Sequence, residues 1–115
     1  MKRSFTEKTW RSEVTFRALC SAFLQCRTPE DMANFLRDVA TLSELKALSE
    51  RLETARLLSE RLPYREVSDR TGASTTTVSR VAWYLNNGER GYENVLRGAA
   101  HHHASSPVRR GRHGA

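Results

Sequence analysis

Apolar residues recur at three- and four-residue steps along most of the chain, with no two-residue strand alternation, which predicts an all-α protein. Val14, Phe16, Leu19, Cys20, Phe23 and Leu24 fall at helical spacing between Trp10 and Cys26 and cover more than one narrow stripe. A helix apolar over that much of its circumference needs burial on two sides, which a partner chain supplies more readily than a lone small bundle. Thr28-Pro29-Glu30-Asp31 starts a second helix, with a hydroxyl cap, proline at the first helical position and acids at the positive end. Met32, Phe35, Leu36 and Val39 form its inward side, and it stops near Ala40. Thr41 and Glu44 match a capping box that opens a third helix. Leu42, Leu45, Leu48, Leu52, Ala55, Leu58 and Leu62 carry that helix to Leu62 as a core-facing row, with Ser49 a candidate interruption and Pro63 the stop.

The stretch Tyr64 to Leu85, YREVSDRTGASTTTVSRVAWYL, reads as two short helices joined at Gly72. Val67, Thr71, Ala73, Val78 and Val81 point inward, and small Ser68 lies where the two backbones approach. Gly72 ends the first helix because glycine accepts positive φ without penalty. These positions form the pattern of a DNA-binding helix-turn-helix, whose second helix, 75–85, enters the major groove. Ser74, Thr75, Thr76, Thr77 and Ser79 stud that helix with short polar groups where an ordinary solvated face carries long Glu and Lys. Thr75, Thr76 and Ser79 can offer hydroxyls to base edges, and threonine methyls can touch a thymine methyl. Arg80 can reach a guanine edge or a phosphate, and Arg65 on the first helix is placed to hold phosphate. With so few long base-reading side chains, specificity is expected to lean on DNA shape and bridging water.

Asn86 to Gly91 is a turn by composition, and Tyr92 to Arg97 fits one or two helical turns. The expected organisation is a flexible terminus at 1–9, a helical domain at 10–97, and a disordered basic tail at 98–115. Within that tail His101, His102 and His103 have no acid or cysteine beside them, so no metal site is expected there. Arg109, Arg110 and Arg112 add non-specific phosphate contacts or are simply solvated. Across all 115 residues, 19 Lys+Arg against 13 Asp+Glu give a net charge of +6, which favours an anionic partner such as nucleic acid. The two cysteines, Cys20 and Cys26, lie on different sides of one helix and fit a reduced compartment. No apolar run approaches the ~20 residues of a membrane span, so no membrane partner and a cytoplasmic, nucleoid-associated location are expected. No paired carboxylates, nucleophile–histidine set or phosphate-cradling glycine loop appears, so neither enzymatic activity nor a cofactor is expected.

SERLETARLL from Ser49 to Leu58, then YREVSDRTGASTTTVSRV, then LNNGERGYENVL, resemble the Trp repressor superfamily, and within it the YerC/YecD type of Trp-repressor-like regulators. The resemblance covers Phe16 to Leu96, with GASTTTVSRV and GYENVL its most specific parts. It implies a helix-turn-helix domain in an intertwined all-α homodimer, which represses transcription from a roughly palindromic double-stranded DNA operator. It also implies that Arg51 and Arg80 match the two arginines that hold tryptophan in the Trp repressor, with Thr77 beside them. However, Val81 and Tyr84 stand where that repressor has glycine and serine, so these side chains are expected to close the pocket against tryptophan. Arg51 and Arg80 are then structural or DNA-facing, and a small-molecule effector is left open. Pro63 replaces the hydroxyl residue that usually caps the first helix of the motif. The function expected is a sequence-specific DNA-binding regulator, a repressor. The alternative is a helical protein–protein interaction module without specific DNA binding, and a transposase-targeting piece ranks behind both.

Overall fold

Side-chain caps set most of the helix starts. The computed structural model of the chain describes residues 5–104, with side chains as far as Gly98. Among these residues a short 3-10 turn, Trp10–Ser12, is followed by α1 (Val14–Gln25), α2 (Pro29–Val39), α3 (Leu42–Ser59), α4 (Tyr64–Thr71), α5 (Thr75–Asn87) and α6 (Gly91–Ala104). The all-α expectation holds, with no strand among the described residues. None of the described helices is long and apolar enough to cross a membrane. The chain divides into two compact units, Met1–Leu45 and Lys46–Ala115.

In the first unit the expected helix from Trp10 to Cys26 is broken at Glu13, whose backbone is extended (φ −65°, ψ 127°). The Glu13 carboxylate caps α1, accepting from the Thr15 amide at 3.1 Å and its hydroxyl at 2.6 Å. Residues 5–9, expected to be flexible, instead carry a hydrogen-bonded turn between Thr6 and Thr9, and Phe5 meets Phe16 edge-on at 6.0 Å. Trp10 also meets Phe16, at 5.6 Å, so one α1 ring organises the segment before it. The next two starts follow their caps. The Asp31 amide donates to the Thr28 hydroxyl at 3.0 Å, and Thr41 and Glu44 exchange both bonds of the capping box, at 2.8 and 3.0 Å. No residue of α1 or α2 is buried, and Val14 and Leu24 are 67% and 81% exposed. Much of the broad apolar surface read from the sequence therefore stays exposed, although Phe16, Met32, Phe35 and Leu36 are half-buried.

In the second unit α3 runs uninterrupted through Ser49 but stops at Ser59, three residues before the expected Leu62. Arg61 adopts φ 67°, its amide donates to the Leu58 carbonyl at 2.9 Å, and the Leu62 amide reaches the Leu57 carbonyl at 3.5 Å. That is a Schellman ending, sealed by Leu62 packing onto the cluster that contains Leu57. Because a left-handed backbone crowds any side chain, Arg61→Gly is expected to raise stability by about 1 kcal/mol, measured by urea unfolding.

The core of this unit is Leu57 of α3 against Val67, Ala73 and Val78, with Leu58 and Leu62 at its edge. The predicted row of α3 is only partly core: Ala55 is buried, Leu48 and Leu52 are 50% and 44% exposed, and the buried leucine is Leu57, which lies off the row. Thr54 is fully buried, and its hydroxyl has no hydrogen-bond partner among the described residues. A buried unsatisfied hydroxyl costs free energy that an isosteric methyl does not, so Thr54→Val is expected to gain about 1 kcal/mol in the same assay.

α6 continues to Ala104, beyond the boundary expected at Arg97. Ala99, Ala100 and Ala104 are the best helix formers, and they prolong a helix already begun by GYENVLRG. Inside its first two turns Glu93 pairs with Arg90 at 3.2 Å and Arg97 at 2.7 Å, and these guanidiniums, Arg90 first, hold its carboxyl below the usual range. Of the expected tail, residues 105–115, including Arg109, Arg110 and Arg112, lie outside the described residues, as do the side chains of His101, His102 and His103.

Candidate nucleic-acid interface

The turn between α4 and α5 is fixed by three hydroxyls and one glycine. Gly72 sits at φ 82°, ψ −2°, and its amide caps α4 on the Ser68 carbonyl. A Cβ built there would come no nearer than 4.0 Å to the Glu50 carboxylate, so the backbone angle, not lack of space, demands glycine. The Ser68 hydroxyl donates to the Ala73 carbonyl at 2.6 Å, which gives the small residue at the crossing a second task. The Thr71 hydroxyl donates to the Val67 carbonyl at 2.9 Å and accepts from the Ala73 amide at 3.0 Å. A threonine fits this inward slot because its oxygen satisfies the turn while the side chain stays half-buried. Ser74 then caps α5, accepting from the Thr77 amide at 3.1 Å. Pro63 gives α4 no side-chain cap, as its lack of a hydroxyl requires.

Buried Val78, Val81 and Ala82 fix the rotation of α5 about its axis. Thr75, Thr76, Ser79 and Arg80 are exposed on it, and Arg65 is exposed on α4. Arg65 and Arg80 make no ion pair with any acid among the described residues, so both guanidiniums are available to an anionic partner. Arg56 and Arg70 of this unit are spent differently. Arg56 lies between Glu53 and Glu60, and its hydrogen bond to Glu53 draws the Glu53 carboxyl below its ordinary range. Arg70 pairs with Glu66 at 3.4 Å.

Two of the expected DNA-facing residues have other duties. The Ser74 hydroxyl is engaged in the cap and donates to the Thr77 hydroxyl at 3.1 Å. Thr77 is half-buried and turns toward a cavity of about 330 Å³ lined by Arg51, Thr77, Arg80, Val81, Tyr84 and Tyr92. The structure thus brings the three effector-site candidates, Arg51, Thr77 and Arg80, around one space. Val81 and Tyr84 do not close it: Val81 is buried in the wall, and the Tyr84 ring packs edge-on against Trp83 at 5.0 Å. Tyr92 was not singled out from the sequence, because α6 brings it to the cavity from a position remote from the motif. Burial pushes its phenol above the ordinary tyrosine range, partly offset by the Arg51 guanidinium. Among the described residues no cluster of His, Cys, Asp and Glu is arranged to hold a metal ion.

The family pattern described as Trp repressor protein matches residues 14–100. The chain belongs to the Trp repressor family. Its relatives in that family include the uncharacterized protein YerC of Bacillus subtilis, 40% identical over 78 residues that span 68% of this chain and 75% of YerC. A TrpR-like protein from Eubacterium eligens shares the fold at a TM-score of 0.76 and 34% identity, over 83% of this chain and 96% of that one. A putative Trp repressor from Staphylococcus aureus does so at 0.77 and 27% identity, with the same coverage. The YerC-type resemblance read from SERLETARLL, GASTTTVSRV and GYENVL is borne out by these matches. Within this Trp repressor family member, the family-matched region contains the whole helix-turn-helix and every residue of the cavity wall.

Proposed function

We propose that this chain is a sequence-specific DNA-binding transcriptional regulator, a repressor, that acts as a homodimer and reads the major groove with α5. The observation that carries the reading is the exposed face of α5. Thr75, Thr76, Ser79 and Arg80 project from a helix whose opposite side is locked by Val78 and Val81, while Arg80 and Arg65 have no acidic partner among the described residues. Ser74 serves this face as its cap, and Thr77 serves it through the cavity side. Homodimerisation is supported by α1 and α2, which bury no residue within the single chain. Two copies related by a two-fold axis would place their α5 helices about 34–36 Å apart, one DNA turn. Arg51, Thr77 and Arg80 are the proposed effector contacts. Tryptophan is not the proposed effector: Val81 and Tyr84 leave the cavity open, but they line it with side chains larger than the glycine and serine of the Trp repressor.

The test is selection of bound duplexes from a random pool, followed by titration of the recovered and scrambled sequences across a salt series. A regulator of this kind is expected to prefer its site by at least about 10³-fold and to lose affinity steeply with salt. Binding that is weak and blind to sequence sinks the proposal and leaves the protein–protein interaction module in its place.

A further inference from the structure

α5 carries two large exposed side chains outside the DNA-reading set, Trp83 and Tyr84, and Trp83 is the more exposed. Trp83 is 56% exposed, the only tryptophan or tyrosine besides Tyr64 and Tyr84 more than half or nearly half open among the described residues. Its position along the helix gives that exposure meaning. At 100° per residue, Trp83 lies four residues after Ser79 and seven after Thr76, so all three fall on one stripe, with Trp83 about 10 Å further along the axis than Thr76. Val78, Val81 and Ala82 are buried on the other side, so α5 cannot rotate to take the indole inward. The ring is also held in place, because Tyr84 packs edge-on against it with planes at 81°.

We infer that Trp83 is a DNA-contact residue, in which the indole lies against the deoxyribose–phosphate backbone at the rim of the major groove and its Nε1–H donates to a phosphate oxygen. The inference rests on the DNA-binding reading of α5. Residues at the start of a recognition helix reach base edges, and the helix leaves the groove floor as it runs on. A side chain two turns later therefore meets backbone. The indole suits that position, having one N–H donor, no acceptor to repel phosphate, and a flat apolar face to cover sugar. Trp83 is then expected to add affinity with little sequence preference, while Thr76 and Ser79 add discrimination.

The chain has two tryptophans, so Trp10→Phe leaves Trp83 as the sole indole and keeps a ring against Phe16. The probe is a 30-bp duplex recovered from the random-pool selection, with fluorescein anisotropy as an independent report of binding. Acrylamide quenching of Trp83 is expected to fall at least twofold on adding unlabelled duplex, saturating at the Kd that anisotropy gives. Trp83→Ala is expected to weaken binding about tenfold at unchanged far-UV circular dichroism, and Trp83→Phe less, with the same ranking of sequences in both. Unchanged quenching at saturating duplex overturns the inference while leaving DNA binding intact. So does quenching already suppressed without DNA in a concentration-dependent way, which would mean that a second copy covers the ring. Anisotropy that shows no binding of any duplex overturns the DNA-binding reading first, and the role of Trp83 with it.

Discussion

Leu57→Ala is expected to lower stability by about 3–5 kcal/mol, the upper part of the range for a leucine removed from a rigid core. Leu57 is 1% exposed and joins α3 to both helices of the motif through Val67, Ala73 and Val78. The space it leaves cannot easily collapse. The Ser68 hydroxyl pins the Ala73 carbonyl, the Thr71 hydroxyl pins its amide, and the Gly72 turn fixes the angle between α4 and α5. A domain of this size has a total stability of about 5–15 kcal/mol, so the loss should shift the urea midpoint by a large fraction of its value. Leu57→Met, which conserves volume, should cost less than about 1.5 kcal/mol. Both variants need comparison at one protein concentration, because a dimer gains stability with concentration. An alanine variant within 1 kcal/mol of the parent would show that this cluster does not anchor the motif.

The starts of α2 and α3 and the end of α4 were legible in the sequence because a local cap decides each. Thr28, the Thr41–Glu44 pair and Gly72 act within four residues of themselves, and each makes the bond that its spacing implies. The break at Glu13 was hidden because glutamate is not a common N-cap, and here its longer side chain folds back onto Thr15. The early stop of α3 was hidden because a left-handed arginine takes the place of the usual glycine. The leucine row misled for a different reason. Periodicity reports which face is apolar, not what covers it, so Leu48 and Leu52 read as core yet stand exposed in one chain. At the candidate site the glycine turn and the exposed Thr75, Thr76 and Ser79 were readable from spacing alone, whereas the capping duty of Ser74 and the cavity-side position of Thr77 were not. The cavity was not, because Arg51, Tyr84 and Tyr92 reach it from three helices, and the turn of Tyr84 toward Trp83 depends on a neighbouring ring.

Thr76→Ala with Arg80→Ala is expected to weaken binding of the selected site by about 100-fold or more, on the scale of one lost base contact and one lost charged contact. Both side chains are exposed, and neither makes a hydrogen bond within the described residues. Their removal should therefore leave the helical content unchanged, with alanine slightly the better helix former. The single variants then separate what each does. If Arg80 grips phosphate, Arg80→Ala weakens every sequence equally and reduces the slope of log K against log salt by about 1. If it reads guanine, the loss is about 10–100-fold at one base position and the ranking of sequences changes. Arg80 also lines the cavity, so a third route exists in which it acts by holding α5 against Arg51 and Tyr92. Arg51→Ala decides that case, because Arg51 is on α3 and lines the same cavity without lying on the exposed face of α5. A loss for Arg51→Ala as large as that for Arg80→Ala would move the role of Arg80 from the groove to the cavity. Near-parent binding by Arg51→Ala alongside a large loss for Arg80→Ala would leave the DNA surface as the only place where that guanidinium acts.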